Sequence, residues 1–224
     1  MKLLKGLAIG SCCLLVMATM TMAQMGRGPS MPTGLLTPTV GAGAVYETTT
    51  ADGTKTKAEF AIVGREQVNG KDGFWMEMSM TSPRMGSMVT KTLIVPDGSN
   101  TASTRTIIQM GSGPAMEMPA QMMSHMNGGQ QQALGDIRGK ADLVGTETVT
   151  TPAGTFVCQH YRMRDGSGDT WVSAQAAPLG VVKHQGTDSS MVLTKMITDE
   201  KDKITGPVQP FNPALIMQQH NPNQ

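Results

Sequence analysis

Three cysteines in 224 residues are too few to staple a fold. Two of them, Cys12 and Cys13, sit inside the first apolar run, and Cys158 stands alone in the rest. One thiol forms no intramolecular disulfide, so a hydrophobic core has to hold whatever folds here. Aromatic residues are scarce as well, eight in all. Eighteen basic residues nearly cancel seventeen acidic ones, and a neutral chain has no electrostatic case for nucleic acid or an anionic membrane surface. No segment offers the ~18 consecutive apolar residues that a spanning helix needs.

Catalytic and metal patterns are missing too. There is no G-x-S-x-G elbow, S-x-x-K pair or phosphate-binding glycine loop, and no H-x-H or H-E-x-x-H spacing. His125, His184 and His220 fall in separate segments, and the carboxylates are scattered, often within turns. Cys158 and His160 are two apart on one strand, where a thiol and an imidazole could in principle form a nucleophile pair. Flanked by Val157 and Tyr161, Cys158 reads instead as a small core residue. The expectation is a protein that is not an enzyme and carries no cofactor.

What is present begins with an export signal. Lys2 and Lys5 precede an apolar run through Met17, and Thr21-Met22-Ala23 places small residues at −3 and −1. That is a secretory signal peptide cleaved after Ala23, giving a periplasmic or secreted protein. Ile9-Gly10-Ser11 before Cys12 would suit lipid attachment. Anchoring there would leave Cys13 to Met17 as an apolar stub, so cleavage near Ala23 is the better reading. The mature chain then has 201 residues and a net charge of −1. About 200 residues bury roughly 70% of their unfolded surface, enough for one domain without disulfides.

After a Gly- and Pro-rich lead-in over 24–41, a β rhythm begins. Strands are predicted at Val45–Thr50, Lys57–Val63, Phe74–Met80, Val89–Val95 and Thr101–Gln109. Asp52-Gly53, Asn69-Gly70, Asp72-Gly73 and Asp97-Gly98 are the turn signals between them. Residues 110–135 break the pattern with Gly111, Gly113 and Pro114, then Pro119–Met126, which can form two helical turns. Strands resume at Asp142–Thr151, with others around Phe156 and Tyr161, at Thr170–Ser173, at Val181–Lys183 and at Met191–Thr198. Asp165-Gly166 and Pro178-Leu179-Gly180 supply turns. The tail over 199–224 is polar and Pro-rich, and should be extended. The prediction is a mainly β (α+β) domain over 42–198: a curved antiparallel sheet or half-open barrel meander of nine or ten strands, with one or two short helices.

The run TPAGTFVCQHYR…GDTWVS…PLGVVK, with MVLTK after it, resembles the second half of periplasmic proteins of the lipoprotein-carrier superfamily (LolA-like). The stretch EFAIVGREQVNGKDGFWMEM resembles their opening strands. The likeness covers roughly 42–198. It implies an unclosed, curved sheet that holds apolar ligands such as acyl chains in its hollow, and it implies no catalytic residue. The tail after Asp199 and the abundance of methionine depart from that pattern.

Methionine is the excess that offsets the shortages. Seventeen remain after cleavage, eleven of them between Met76 and Met126. In Phe74–Met80 the alternation places Phe74, Met76, Met78 and Met80 on one side. Met118, Met122, Met123 and Met126 follow in the excursion, with helical spacing at its end. Flexible thioethers suit a pocket of variable apolar content, although they also fill ordinary cores. These eight residues are the candidate ligand-facing set, with a lipid, lipoprotein, other apolar molecule or envelope protein as partner. The alternative is a soft-metal site for Cu(I) or Ag(I) from Met116, Met118, Met122, His125 and Met126.

Overall fold

The computed structural model describes residues 34–82, 86–97, 100–119, 121–122 and 136–212. The chain divides into two units, Met1–Met31 and Pro32–Gln224, and every described residue belongs to the second. That unit is built on one sheet. Its strands are β1 (Gly43–Thr50), β2 (Lys55–Val68), β3 (Lys71–Ser82), β4 (Gly86–Asp97), β5 (Asn100–Met110), β6 (Ala115–Glu117), β7 (Ala141–Thr151), β8 (Gly154–Met163), β9 (Gly168–Val172), β10 (Val181–Gly186), β11 (Ser189–Ile197) and β12 (Val208–Pro210). Their order across the sheet is β12-β6-β5-β4-β3-β2-β1-β11-β10-β9-β8-β7. The sheet is curved and open, with β12 at one end and β7 at the other.

The predicted class is therefore correct, but the described residues form twelve strands rather than nine or ten. The two additions are β6 and β12. Each is three residues long, too short for alternation to show, and β12 ends on a proline. They pair in parallel at the sheet's edge, where a residue without an N–H costs least.

Local chemistry explains the hairpins. Val68 pairs with Lys71, leaving Asn69 (φ 51°) and Gly70 (φ 80°) as a two-residue turn. Both dihedrals are the positive ones that the right-handed twist of the strands favours. Asp72-Gly73, read from sequence as a second turn, lies inside β3 instead; one two-residue reversal is enough, and Asp72 pairs with Gln67 in the ladder. Between β1 and β2, Asp52 accepts hydrogen bonds from Thr50 Oγ1 and from the amide and hydroxyl of Thr54. These bonds, Thr50's foremost, hold its carboxyl below the ordinary range.

Two meanders make the sheet, β1 to β6 and β7 to β11, and they are joined by the pairing of β1 with β11. Tyr46 bolts that seam. It is fully buried, packs edge-to-face on Phe60 at 5.8 Å, and donates its hydroxyl hydrogen to the Val181 carbonyl at 3.0 Å. The connection between the meanders runs from β6, near one end of the sheet, to β7 at the other.

Short helix is nearly absent among the described residues. A single 3₁₀ turn, Ile137–Gly139, is capped by the Asp136 side chain on the Arg138 amide. Of the helix predicted at Pro119–Met126, Gln121 and Met122 are helical, and 123–126 lie outside the described residues. No described helix is long and apolar enough to cross a membrane. The predicted signal peptide also lies outside the described residues.

Candidate functional site

Cross-strand partners share a face of a sheet, so the register shows which methionines stand together. Met76 pairs with Ile62 and Thr92, Met78 with Phe60 and Thr90, and Met80 with Ala58 and Met88. Met88 pairs onward with Met110, and Ile108, beside Thr90, pairs with Met116. One face of β3 to β6 therefore carries Met76, Met78, Met80, Met88, Met110 and Met116. The Met80–Met88–Met110 row runs straight across three strands.

The predicted stripe of Phe74, Met76, Met78 and Met80 is thus part of a broader surface. Met76 is buried, while Phe74, Met78 and Met80 are half-buried. Met116 and Met118 are buried at β6 and just after it, and Met122 is half-buried. Met123, His125 and Met126 lie outside the described residues. Met88 and Met110 were not singled out from sequence. Their place on this face depends on the β4–β5 register, which shifts by one residue between Leu93 and Ile94 and so cannot be read from alternation within either strand.

The same face continues across the seam. Tyr46, Leu193 and Met191 follow in register, then His184 and Thr170. His184 is bonded at Nδ1 to the Thr170 hydroxyl, 2.8 Å away, and burial lowers its pKa. The long connection leaves this face at Met118 and returns to it at Ile137, which is buried against Ala141, Tyr161 and Val172. Both ends of the connection therefore sit on the methionine face.

The opposite face is built differently. Trp75 packs with Leu93, Ile107, Ala115 and Ile204. Its ring lies 5.1 Å from the Lys91 ammonium and 5.2 Å from the Arg105 guanidinium, and its N–H donates to Glu66 at 3.0 Å. Residues 199–206, which follow β11, cross this face as a strap. The Glu200 amide donates to Gly41 O at 2.9 Å, Asp202 pairs with Lys91, and the Lys203 amide donates to Glu77 Oε2 at 3.0 Å.

Glu77 is the anomaly beneath the strap. It is 1% exposed, and burial above all raises its pKa above the ordinary 4.5. A carboxyl that binds its proton more tightly when folded makes stability fall as pH rises through the folded value, with the gain complete below 4.5. Glu77→Gln removes this dependence. In urea melts at about pH 7 and about pH 5, wild type should gain stability relative to Glu77→Gln at the lower pH. A constant difference between the two proteins would show that Glu77 stays ionised throughout.

Cys158 and His160, adjacent on one face of β8, are each engaged by other groups. Cys158 is buried, its thiol is pushed up to about 11 by burial and then by the Glu147 charge, and it faces the Phe156 carbonyl at 3.7 Å. His160 does not reach it as a base. Its Nδ1 is 2.8 Å from Glu147 Oε1 and its Nε2 is 2.8 Å from Asp169 Oδ1. The ring stacks on Trp171 at 4.4 Å. Both ring nitrogens are thus engaged in tying β7, β8 and β9 together. Among the described residues, no three His, Cys, Asp or Glu side chains are grouped to hold a metal ion.

No family model matches the chain, and no curated protein matches its sequence. Three solved structures are similar in shape. An exported protein with a YmcC-like fold from Bacteroides fragilis is 14% identical, with 74% of this chain and 99% of that one covered, at a TM-score of 0.39. A lipoprotein from Parabacteroides distasonis is 14% identical, with 72% and 97% covered, at 0.35. The third is MucB, 12% identical, with 80% and 57% covered, at 0.32. Likeness at this distance does not establish kinship with lipoprotein carriers.

Proposed function

We propose that this is a non-enzymatic protein of the bacterial envelope whose methionine face receives an apolar ligand, a lipid or acyl chain, or the apolar part of an envelope partner. One observation carries the reading: the register gathers six methionines from four strands on one side of an open sheet. Thioether chains are unbranched and polarizable, and they adapt to ligands of irregular shape. The export signal places such a surface in the envelope. The engaged Cys158–His160 pair supports a binding role over a chemical one, and the lipoprotein-carrier resemblance points the same way.

A fluorescent long-chain fatty acid tests this. Wild type should bind it saturably, and Met78→Glu with Met88→Glu should weaken binding at least tenfold, since each places a carboxylate on the apolar face. Unchanged circular dichroism would show that the double variant is folded. Absence of any probe response from wild type would sink the proposal. The Met80–Met88–Met110 row also favours a second reading, a soft-metal site for Cu(I) or Ag(I). Titration against a competing chelator decides it: binding weaker than micromolar, or unaltered when Met80, Met88 and Met110 become leucine, removes it.

A further inference from the structure

We infer that β7 is a dimerisation edge, where it pairs antiparallel with β7 of a second copy of this chain about a twofold axis at Thr148. The contact lies at the end of the sheet far from β3 to β6 and does not depend on the apolar-ligand reading.

The two ends of the sheet are finished differently. At one end β12 is three residues long, ends on Pro210 and runs parallel to β6. A short strand carrying proline gives a further strand little to join. At the other end β7 runs for 11 residues without proline, lysine or arginine, and no described strand pairs with its outer side. Such an edge is a row of unpaired N–H and C=O groups, and its complement is another strand. The hairpin fixes which groups are free. Thr151 pairs with Gly154 across the two-residue Pro152-Ala153 reversal, and residues flanking such a turn bond to each other. Alternation then commits Thr151, Val149 and Glu147 to β8, and turns the main-chain groups of Thr146, Thr148 and Thr150 outward.

The sequence of this edge selects its partner. Thr146-Glu147-Thr148-Val149-Thr150 reads nearly the same from either end. Paired antiparallel with itself about Thr148, it sets Thr148 against Thr148, Thr146 against Thr150 and Glu147 against Val149. Cross-strand threonine pairs are favourable. One is already present in the hairpin, where the Thr150 and Thr155 hydroxyls are 3.1 Å apart. No like charges oppose each other in this register. The one charge in the stretch is also drawn inward: Glu147 accepts from Trp171 Nε1 at 3.0 Å, and its other oxygen is 2.8 Å from His160 Nδ1. Both of those partners stand on β8 and β9, away from the edge. Neighbouring registers are worse. A slip one way stacks Glu147 on Glu147 of the second copy. A slip the other way sets Thr146 against Pro152, which has no N–H to donate. The Thr148-centred register instead brings Val144, 50% exposed at the β7 bulge, against that proline.

Analytical ultracentrifugation of the protein, expressed with its own leader, tests this. Wild type should show a reversible monomer–dimer equilibrium below about 100 µM. Thr148→Lys places two ammonium groups at the axis and should raise the dissociation constant at least tenfold, with circular dichroism unchanged. A monomer at every concentration overturns the proposal, and is the outcome if the edge serves an unrelated strand. A folded Thr148→Lys chain that dimerises like wild type overturns it too. Thr148→Cys covers the case in which the lysine variant does not fold. Because Thr148 meets its own copy, mild oxidation should yield a covalent dimer, whereas Val208→Cys, exposed at the other edge, should not. Cys158 is buried and stays out of this reaction. Crosslinking at position 148 alone supports the proposal. A Thr148→Cys chain that stays monomeric, or crosslinks no faster than Val208→Cys, overturns it.

Discussion

Tyr46→Ala is expected to lose about 4 kcal/mol of folding stability, within the range for deleting a buried aromatic ring. Tyr46 is fully buried at the seam between the meanders, where its hydroxyl crosses β11 to reach the Val181 carbonyl. Truncation removes the edge-to-face contact with Phe60, opens a cavity and leaves a buried carbonyl without its donor. Tyr46→Phe isolates the last of these and should cost about 1–2 kcal/mol. Urea unfolding of the two variants separates ring from hydroxyl. If the alanine variant loses less than about 1.5 kcal/mol, the core re-forms around the site and the seam does not depend on this residue.

The second large effect is at Gly180, which closes the Pro178-Leu179-Gly180 turn with φ at +71°. A β-carbon there would lie 2.7 Å from the Leu35 carbonyl oxygen and 3.0 Å from its nitrogen. Those are backbone atoms and cannot swing aside. Leu35 and Thr37 are held to this turn by their amides, which donate to Leu179 O and Pro178 O at 2.8 Å. Gly180→Ala should cost roughly 1–2 kcal/mol for the left-handed dihedral and a further 1–3 kcal/mol for the overlap. For a domain of this size the midpoint should fall by about 10 °C. Gly53→Ala is the control, with φ at +81° and nothing within 4 Å of the added carbon. It should show the dihedral cost alone. Equal losses at the two positions would mean that the lead-in yields freely. Hydrogen exchange at Leu35 and Thr37, expected to quicken only in Gly180→Ala, checks the cause.

Much of this protein was legible from short-range patterns. Asn69-Gly70 and Asp52-Gly53 specify their turns through positive dihedrals and Asx hydrogen bonds, both decided within four residues. The alternation in β3 correctly separated Met76 from Trp75 and Glu77. What misled was length and redundancy: β6 and β12 are too brief to show a period, and Asp72-Gly73 has turn chemistry in a place where the chain had already turned.

The candidate site divides along the same line. A methionine stripe on β3 could be read from alternation, but its union with Met88, Met110 and Met116 could not. That union needs the registers of three ladders, one of them shifted by a bulge. The Trp75–Glu77–Lys203 groove had no signature at all, because its residues come from strands and a strap more than a hundred positions apart. Polar Glu77 in an otherwise apolar stretch was the nearest hint.

Strand content, turn positions and the thioether supply are local properties, set by side-chain period and by dihedrals each residue can adopt. Tertiary structure alone decided that β1 would pair with β11, that the tail would return over Trp75, and that the β6-to-β7 connection would begin and end on the methionine face. Those outcomes depend on burial shared between distant segments, and no single stretch of sequence contains both partners.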